Sequence, residues 1–238
     1  MNSADQAIIF FVKEPVPGQI KTRLFADCGD DFAVQFYLAC LKDVRDLISQ
    51  CPGRKTFIYY FSPETPRRLR QIFPGCPLYP QSGADLGERM AGAFEDVFAR
   101  GFSKAVLIGS DAPQITADIV QQAFDALNTH DAVLGPARDG GYYLIGLNQS
   151  CPGLFKGIRW SRENVLKETL QRARASAMQA AQLPFLMDID TAADLKEIRE
   201  KIQGWPADRA RHLRAFLRLR KIMVYCLILA QSVQVIMK

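Results

Sequence analysis

Short apolar runs alternate along the chain with longer stretches in which apolar residues recur at helical spacing. The runs at 8–12, 56–61, 104–108, 132–134, 142–147 and 183–187 have strand length. Near-continuous apolar runs of that size are the signature of buried strands in parallel sheets. Helical spacing covers 32–48, 66–73, 86–100, 115–127, 161–177 and 192–203. Strand and helix therefore follow one another in βαβ order, which predicts a mostly parallel sheet with helices on both faces and 104–108 as its central strand. The runs at 132–134 and 142–147 flank Asp139, Gly140 and Gly141, as in a hairpin-like excursion.

The pattern changes near residue 205. Residues 1–204 read as one domain and 205–238 as an extension, densely basic over 207–221 (ADRARHLRAFLRLRK) and then almost wholly apolar (IMVYCLILAQSVQVIM). Gln231, Ser232 and Gln234 interrupt that last run, which is shorter than the ~20 apolar residues of a membrane span. The extension is expected to pack on the domain or form a homodimer seam; lying on an anionic membrane surface is the other option.

With 238 residues, 48% of them apolar, the chain can bury a sizeable core. Its net charge of +5 suits anionic small ligands and does not demand a nucleic acid. Cysteines 28, 40, 51, 76, 151 and 226 form no C-x-x-C pair, which argues against a zinc site or a disulfide framework and fits a reducing cytoplasm. No signal peptide is evident at the N-terminus.

Candidate chemistry gathers where predicted strands end. In AVLIGSDAP, Asp111 follows a strand at the carboxyl edge of the sheet, where open α/β sheets bind ligands. It is the first candidate ligand for Mg²⁺ or Mn²⁺, and also a candidate cap for the next helix. Asp139, with Gly140 and Gly141, is a second strand-end site, either contacting an acceptor or making an ordinary D-G turn. Directly after the first strand, KEPVPGQIKTRL (13–24) combines Lys13, Lys21 and Arg23 with Gly18 and two prolines, a stiff loop that could clamp phosphate. It lacks P-loop spacing, and G-x-G-x-x-G occurs nowhere, so ATPase and dinucleotide readings lose support. Asp85 and Arg89, at a predicted helix start, could touch nucleotide or each other. Trp160 could line the acceptor side or belong to the core. His130 and His212 lie in no constellation, and no nucleophile triad supports covalent catalysis.

In order and spacing, KEPVPGQIKTRL, DLGERM, IGSDAP, GPARDGGYYLIGL and DIDTAADL resemble the selenodomain-associated transferase 1 family, within the nucleotide-diphospho-sugar transferase superfamily. The resemblance spans roughly residues 7–200. It implies a three-layer α/β/α sandwich of glycosyltransferase-A type, with nucleotide over the N-terminal half of the sheet and a divalent metal beneath the diphosphate. It makes Asp190, in the late D-x-D element, a second metal ligand, although Asp190 and Thr191 also read as a helix cap. A haloacid-dehalogenase reading of the same element fails, because Ala192 stands where that pattern needs Thr or Val and little chain follows. Asp188 is expected to matter much less than Asp111. Lys21 and Arg23 would share with the metal the charge developing on the leaving phosphate, giving Lys21, Asp111 and Asp139 the catalytic roles. A nucleotide-sugar glycosyltransferase is the first expectation; nucleotidyl transfer with release of pyrophosphate and a non-catalytic nucleotide-binding module are the alternatives.

Overall fold

A computed structural model describes residues 5–160 and 162–219, apart from the side chains of 25–27. The apolar run at 222–237 lies outside the described residues, and so does the homodimer seam expected of it. Seven strands and eight α-helices follow in the order β1 (Gln6–Lys13), α1 (Thr22–Cys28), α2 (Asp30–Ser49), β2 (Lys55–Phe61), α3 (Arg67–Ile72), β3 (Leu78–Pro80), α4 (Leu86–Ala99), β4 (Lys104–Gly109), α5 (Ala117–Ala126), β5 (Ala132–Pro136), β6 (Tyr142–Leu147), α6 (Val165–Ala175), β7 (Ala180–Gln182), α7 (Ala192–Lys201) and α8 (Arg211–Leu219).

The strands form one sheet in the order β3-β2-β1-β4-β6-β5-β7, with β4 at its centre. Every neighbouring pair is parallel except those made by β6, which runs antiparallel to β4 and β5. Alternation along β1 explains the layering. Ile8, Phe10 and Val12 pack on one face with α2, α3 and α5, while Ala7, Ile9 and Phe11 pack on the other with α4 and α6. The α/β/α sandwich is thus dictated by strands apolar on both sides.

A third core forms beyond the sheet edge, where Phe32, Phe36 and Cys40 of α2 meet Leu195 and Ile198 of α7, Leu213 and Leu217 of α8, and Met187 and Ile189 of the chain before α7. Arg209, Arg211 and Arg214 of the basic stretch are spent on intramolecular contacts, with Gln114 O, Asp46, and Trp205 O and Pro206 O respectively. No helix among the described residues is long and apolar enough to cross a membrane.

The expected strand at 183–187 is displaced. Pairing with β5 occurs at Ala180–Gln182, and Pro184, which has no N–H, interrupts the ladder that Leu183 N and Leu186 N continue to Leu134 O and Pro136 O. Helix α1 takes Thr22, Arg23 and Leu24 out of the expected loop, and β3 is a three-residue edge strand absent from the sequence reading.

Candidate active site

The loop after β1 is fastened at both ends. Glu14 is 7% exposed, and its carboxylate accepts from the amides of Arg68 (2.9 Å) and Leu69 (3.3 Å) at the start of α3. Arg68 Nη1 returns a bond to Pro15 O at 2.8 Å. At the far end Lys21 adopts φ +45°, a left-handed backbone uncommon for a residue with a Cβ. Its side chain, 4% exposed, lies inside the molecule: Nζ donates to Ile189 O at 2.7 Å and stands 3.0 Å from Asp111 Oδ1 and 3.1 Å from Asp190 Oδ1. Burial alone would lower the pKa of this ammonium; the charges of Asp111 and then Asp190 outweigh it and raise the pKa above the ordinary lysine range.

Asp111 follows β4 by two residues. Tyr37 couples the ends of β1 and β4 just beneath it, since its hydroxyl accepts from Lys13 N and lies 2.9 Å from Ser110 Oγ. The cap of α5 is Thr116, which accepts from Ile119 N, so the half-exposed Asp111 side chain is not used as a helix cap. Asp139 closes the D-G turn, Oδ1 accepting from Gly141 N at 2.8 Å, and also lines the pocket. Gly140 has φ +83°, and a Cβ there would lie 1.9 Å from Glu163 O, so only glycine fits between β5 and β6.

Before α7, buried Met187 and Ile189 alternate with the partly buried Asp188 and Asp190. Met187 and Ile189 are buried in the third core, which turns Asp188 and Asp190 toward the pocket. Burial pushes the Asp188 carboxyl up to about 7, helped by the charges of Asp139, Asp111 and Asp190 and opposed by Lys21. Thr191 and Asp194 form a complete capping box on α7, so the cap expected in this element falls on Thr191 while the Asp190 side chain pairs with Lys21.

These groups surround one pocket of about 580 Å³ at the carboxyl ends of β1 and β4. Of the residues singled out in the sequence, Lys13, Lys21, Arg23, Arg89, Asp111, Asp139, Gly141, Trp160 and Asp190 line it. Three do not. Gly18 sits in a left-handed turn of the loop, Gly140 is occupied with Glu163, and Asp85 caps α4 by accepting from Glu88 N at 2.8 Å. Asp85 and Arg89 meet through the backbone, Arg89 N donating to Asp85 O at 3.2 Å, and not through an ion pair; Arg89 Nε donates to Gly83 O and its guanidinium lies over the Phe61 ring, 4.2 Å from the centroid. Trp160 packs against the second core and on Gly87, where a Cβ would meet the indole at 2.7 Å, and also lines the pocket. Asp188, Arg162 and Gln81 line the pocket without having been chosen from the sequence. The alternation M-D-I-D was a usable signal for Asp188; Gln81 and Arg162 carried none.

Outside the pocket, His212 does join a constellation. Because α8 folds back on α2, the ligand atoms of Asp43, Asp46 and His212 lie within 4.8 Å of one another. Their valences are already used: Asp43 accepts from the amides of His212 and Leu213, both at 2.9 Å, and Asp46 pairs with Arg45, Arg211 and His212. This cluster fastens α8.

A protein of known structure from Desulfovibrio desulfuricans G20, whose name places it among nucleotide-diphospho-sugar transferases, is 34% identical to the chain, with a TM-score of 0.87 over 94% of this chain and 98% of the other. The chain belongs to the nucleotide-diphospho-sugar transferase superfamily. It is accordingly an enzyme, a transferase of that superfamily. Residues 47–162 match the family described as uncharacterized protein conserved in bacteria (DUF2064). The fold is shared more distantly with a cytidylyltransferase from Leptospira borgpetersenii (14% identity, TM-score 0.56, 92% of this chain and 96% of that one). It is also shared with a manganese complex from Mycobacterium tuberculosis H37Rv (13% identity, TM-score 0.50, 81% and 97%). No curated protein matches the chain.

Proposed function

We propose that this transferase uses a nucleotide-sugar donor and a divalent metal, and that the pocket bounded by β1, β4 and the 187–190 segment is its active site. The observation that carries the reading is the convergence of four carboxylates, Asp111, Asp139, Asp188 and Asp190, on a pocket also lined by the basic residues Lys13, Lys21, Arg23, Arg89 and Arg162. Oxygen donors of this kind suit Mg²⁺ or Mn²⁺, and two of them already hold a cation, the Lys21 ammonium. The fit is supported by the manganese complex of a protein of the same fold. Asp111 and Asp190 would hold the metal, with Asp188 as a further oxygen source. When bound, such an ion neutralises charge on the diphosphate and on the departing phosphate.

The chain's own groups do the rest. Lys13 at the end of β1, Lys21 at the end of the loop and Arg23 in the first turn of α1 present positive charge to the phosphates, around a loop that Glu14 and Arg68 keep in place. Asp139, Gly141 and Trp160 stand on the acceptor side. Nucleotidyl transfer onto a phosphate-bearing acceptor is the second reading, favoured by the likeness in fold to a cytidylyltransferase. The narrower kinship to selenodomain-associated transferases, a cytoplasmic location and self-association through residues 205–238 belong to the same proposal.

A thermal-shift screen of nucleotides and nucleotide sugars, each with and without Mn²⁺ or Mg²⁺, tests it, because a ligand of the native state alone raises Tm. A metal-dependent rise with one nucleotide sugar, followed by release of nucleoside diphosphate, is the expected result. Release of pyrophosphate from a triphosphate selects the second reading, and a panel without any shift overturns both.

A further inference from the structure

We propose that Lys21 holds the cation seat of the pocket until a polyphosphate draws it away, so that metal enters with the nucleotide and not before it. The proposal rests on the reading of the pocket as a metal and nucleotide site, and adds to it an order of binding and a residue that enforces the order.

Three observations carry it. The oxygens that would serve a dication are already engaged, since Lys21 Nζ lies 3.0 Å from Asp111 Oδ1 and 3.1 Å from Asp190 Oδ1. Its position is built rather than incidental: the side chain is 4% exposed, and a third acceptor, Ile189 O at 2.7 Å, fixes the ammonium from the backbone. Finally, the residue sustains this placement from a left-handed backbone at the end of a loop, a conformation that side-chain contacts must hold against its intrinsic cost.

An ammonium and a dication cannot both take full advantage of the same two carboxylates, because each weakens the field that holds the other. A polyphosphate arriving beside Lys13 and Arg23 offers Lys21 equivalent anionic oxygens. Transfer of the ammonium to phosphate frees Asp111 and Asp190 for the metal in the same event, and no buried charge is left unpaired at any stage. Lys21 is thus a positioning residue for the metal as well as a phosphate contact. Metal alone, abundant in solution, is kept from saturating the site.

The test is titration of Mn²⁺ alone, without nucleotide, into the wild-type chain and into Lys21→Met, which keeps the aliphatic stem and removes the charge. Lys21→Gln serves as a second variant, able to donate to Ile189 O, in case the first fails to fold; circular dichroism checks both. Weak binding by the wild type and a gain of about tenfold or more in the variants is expected. In EDTA, affinity of the variants for inorganic pyrophosphate should fall. A folded variant that binds Mn²⁺ no better than the wild type overturns the proposal, and so does a wild type that binds Mn²⁺ equally well with and without a nucleotide of the panel. If the wild type binds no nucleotide even with Mn²⁺, the functional reading itself fails; if it binds one while the variants gain nothing for Mn²⁺, only the order of binding fails.

Discussion

Asp188 and Asp111 reach the same pocket by different local rules, one by alternating with buried Met187 and Ile189 in the segment before α7 and the other by following the end of β4. The sequence ranks Asp111 far above Asp188, because a strand end is a recognised ligand position while the late D-x-D can be read as a helix cap. In the structure the cap is Thr191, and Asp188 faces the other three carboxylates. Asp111→Asn and Asp188→Asn should therefore both weaken Mn²⁺-dependent nucleotide binding by about tenfold or more, measured by calorimetry. A fall confined to Asp111→Asn would restore the earlier order. Gly140 belongs to the same scale and has a different outcome. A methyl at Gly140 meets Glu163 O and requires a strained φ, so Gly140→Ala should cost roughly 1–3 kcal/mol or more of stability, read as a lower Tm. Unchanged Tm would mean that the turn rearranges freely. The sequence groups Gly140 with Asp139 as a strand-end site or a D-G turn; its neighbour is the protein's own backbone at Glu163.

At the scale of elements, the site depends on two staples that carry no catalytic chemistry. Thr191 Oγ1 accepts from Asp194 N at 3.2 Å while Asp194 Oδ2 accepts from Thr191 N at 2.9 Å, fixing the start of α7 one residue after Asp190. Arg138, one residue before Asp139, is bidentate to Glu197 of α7 at 2.6 and 2.7 Å. One helix thus aligns the β5–β6 turn with the D-x-D segment. Thr191→Ala should lower stability by about 1 kcal/mol, the ordinary value of such a cap, and should weaken nucleotide binding beyond what that small loss of folded protein explains. If binding is unaffected in the folded variant, the cap does not position Asp190. Elements with a strong period were legible: β1, β2, β4, β6 and α2 lie within two residues of where the apolar pattern puts them. The elements missed were those whose stability comes from elsewhere. Helix α1 has seven residues and is held by Leu24 in the third core, β3 has three residues, and β7 was misplaced onto an apolar stretch that Pro184 prevents from pairing regularly.

Seen across the whole molecule, four carboxylates crowd near one buried ammonium in the pocket, and that local crowding makes stability depend on pH in a definite direction. Lys21 is the ammonium fixed among Asp111, Asp139, Asp188 and Asp190, and Asp188 absorbs the excess by keeping its proton up to about pH 7, against 3.8 for the unperturbed carboxyl. Between those two values the folded chain holds on Asp188 a proton that the unfolded chain has released, so the contribution of Asp188 to stability should fall as pH rises from about 4 to 7 and level off above that. The loss is on the order of a few kcal/mol, or several degrees in Tm for a chain of this size. This trend is opposite to that of a salt-bridged carboxylate and is not overturned by Lys21, whose raised pKa keeps it charged throughout the window. Asp188→Asn should flatten it, with Tm near the wild-type value at pH 5 and above it at pH 8. A wild-type Tm that rises steadily from pH 5 to 8, with the variant parallel to it, would show that the carboxylates are not crowded together as the fold requires. Added Mn²⁺ and nucleotide together should lift the wild-type Tm most at pH 8, where Asp188 is ionised and uncompensated, and least at pH 5, where its proton must first be displaced.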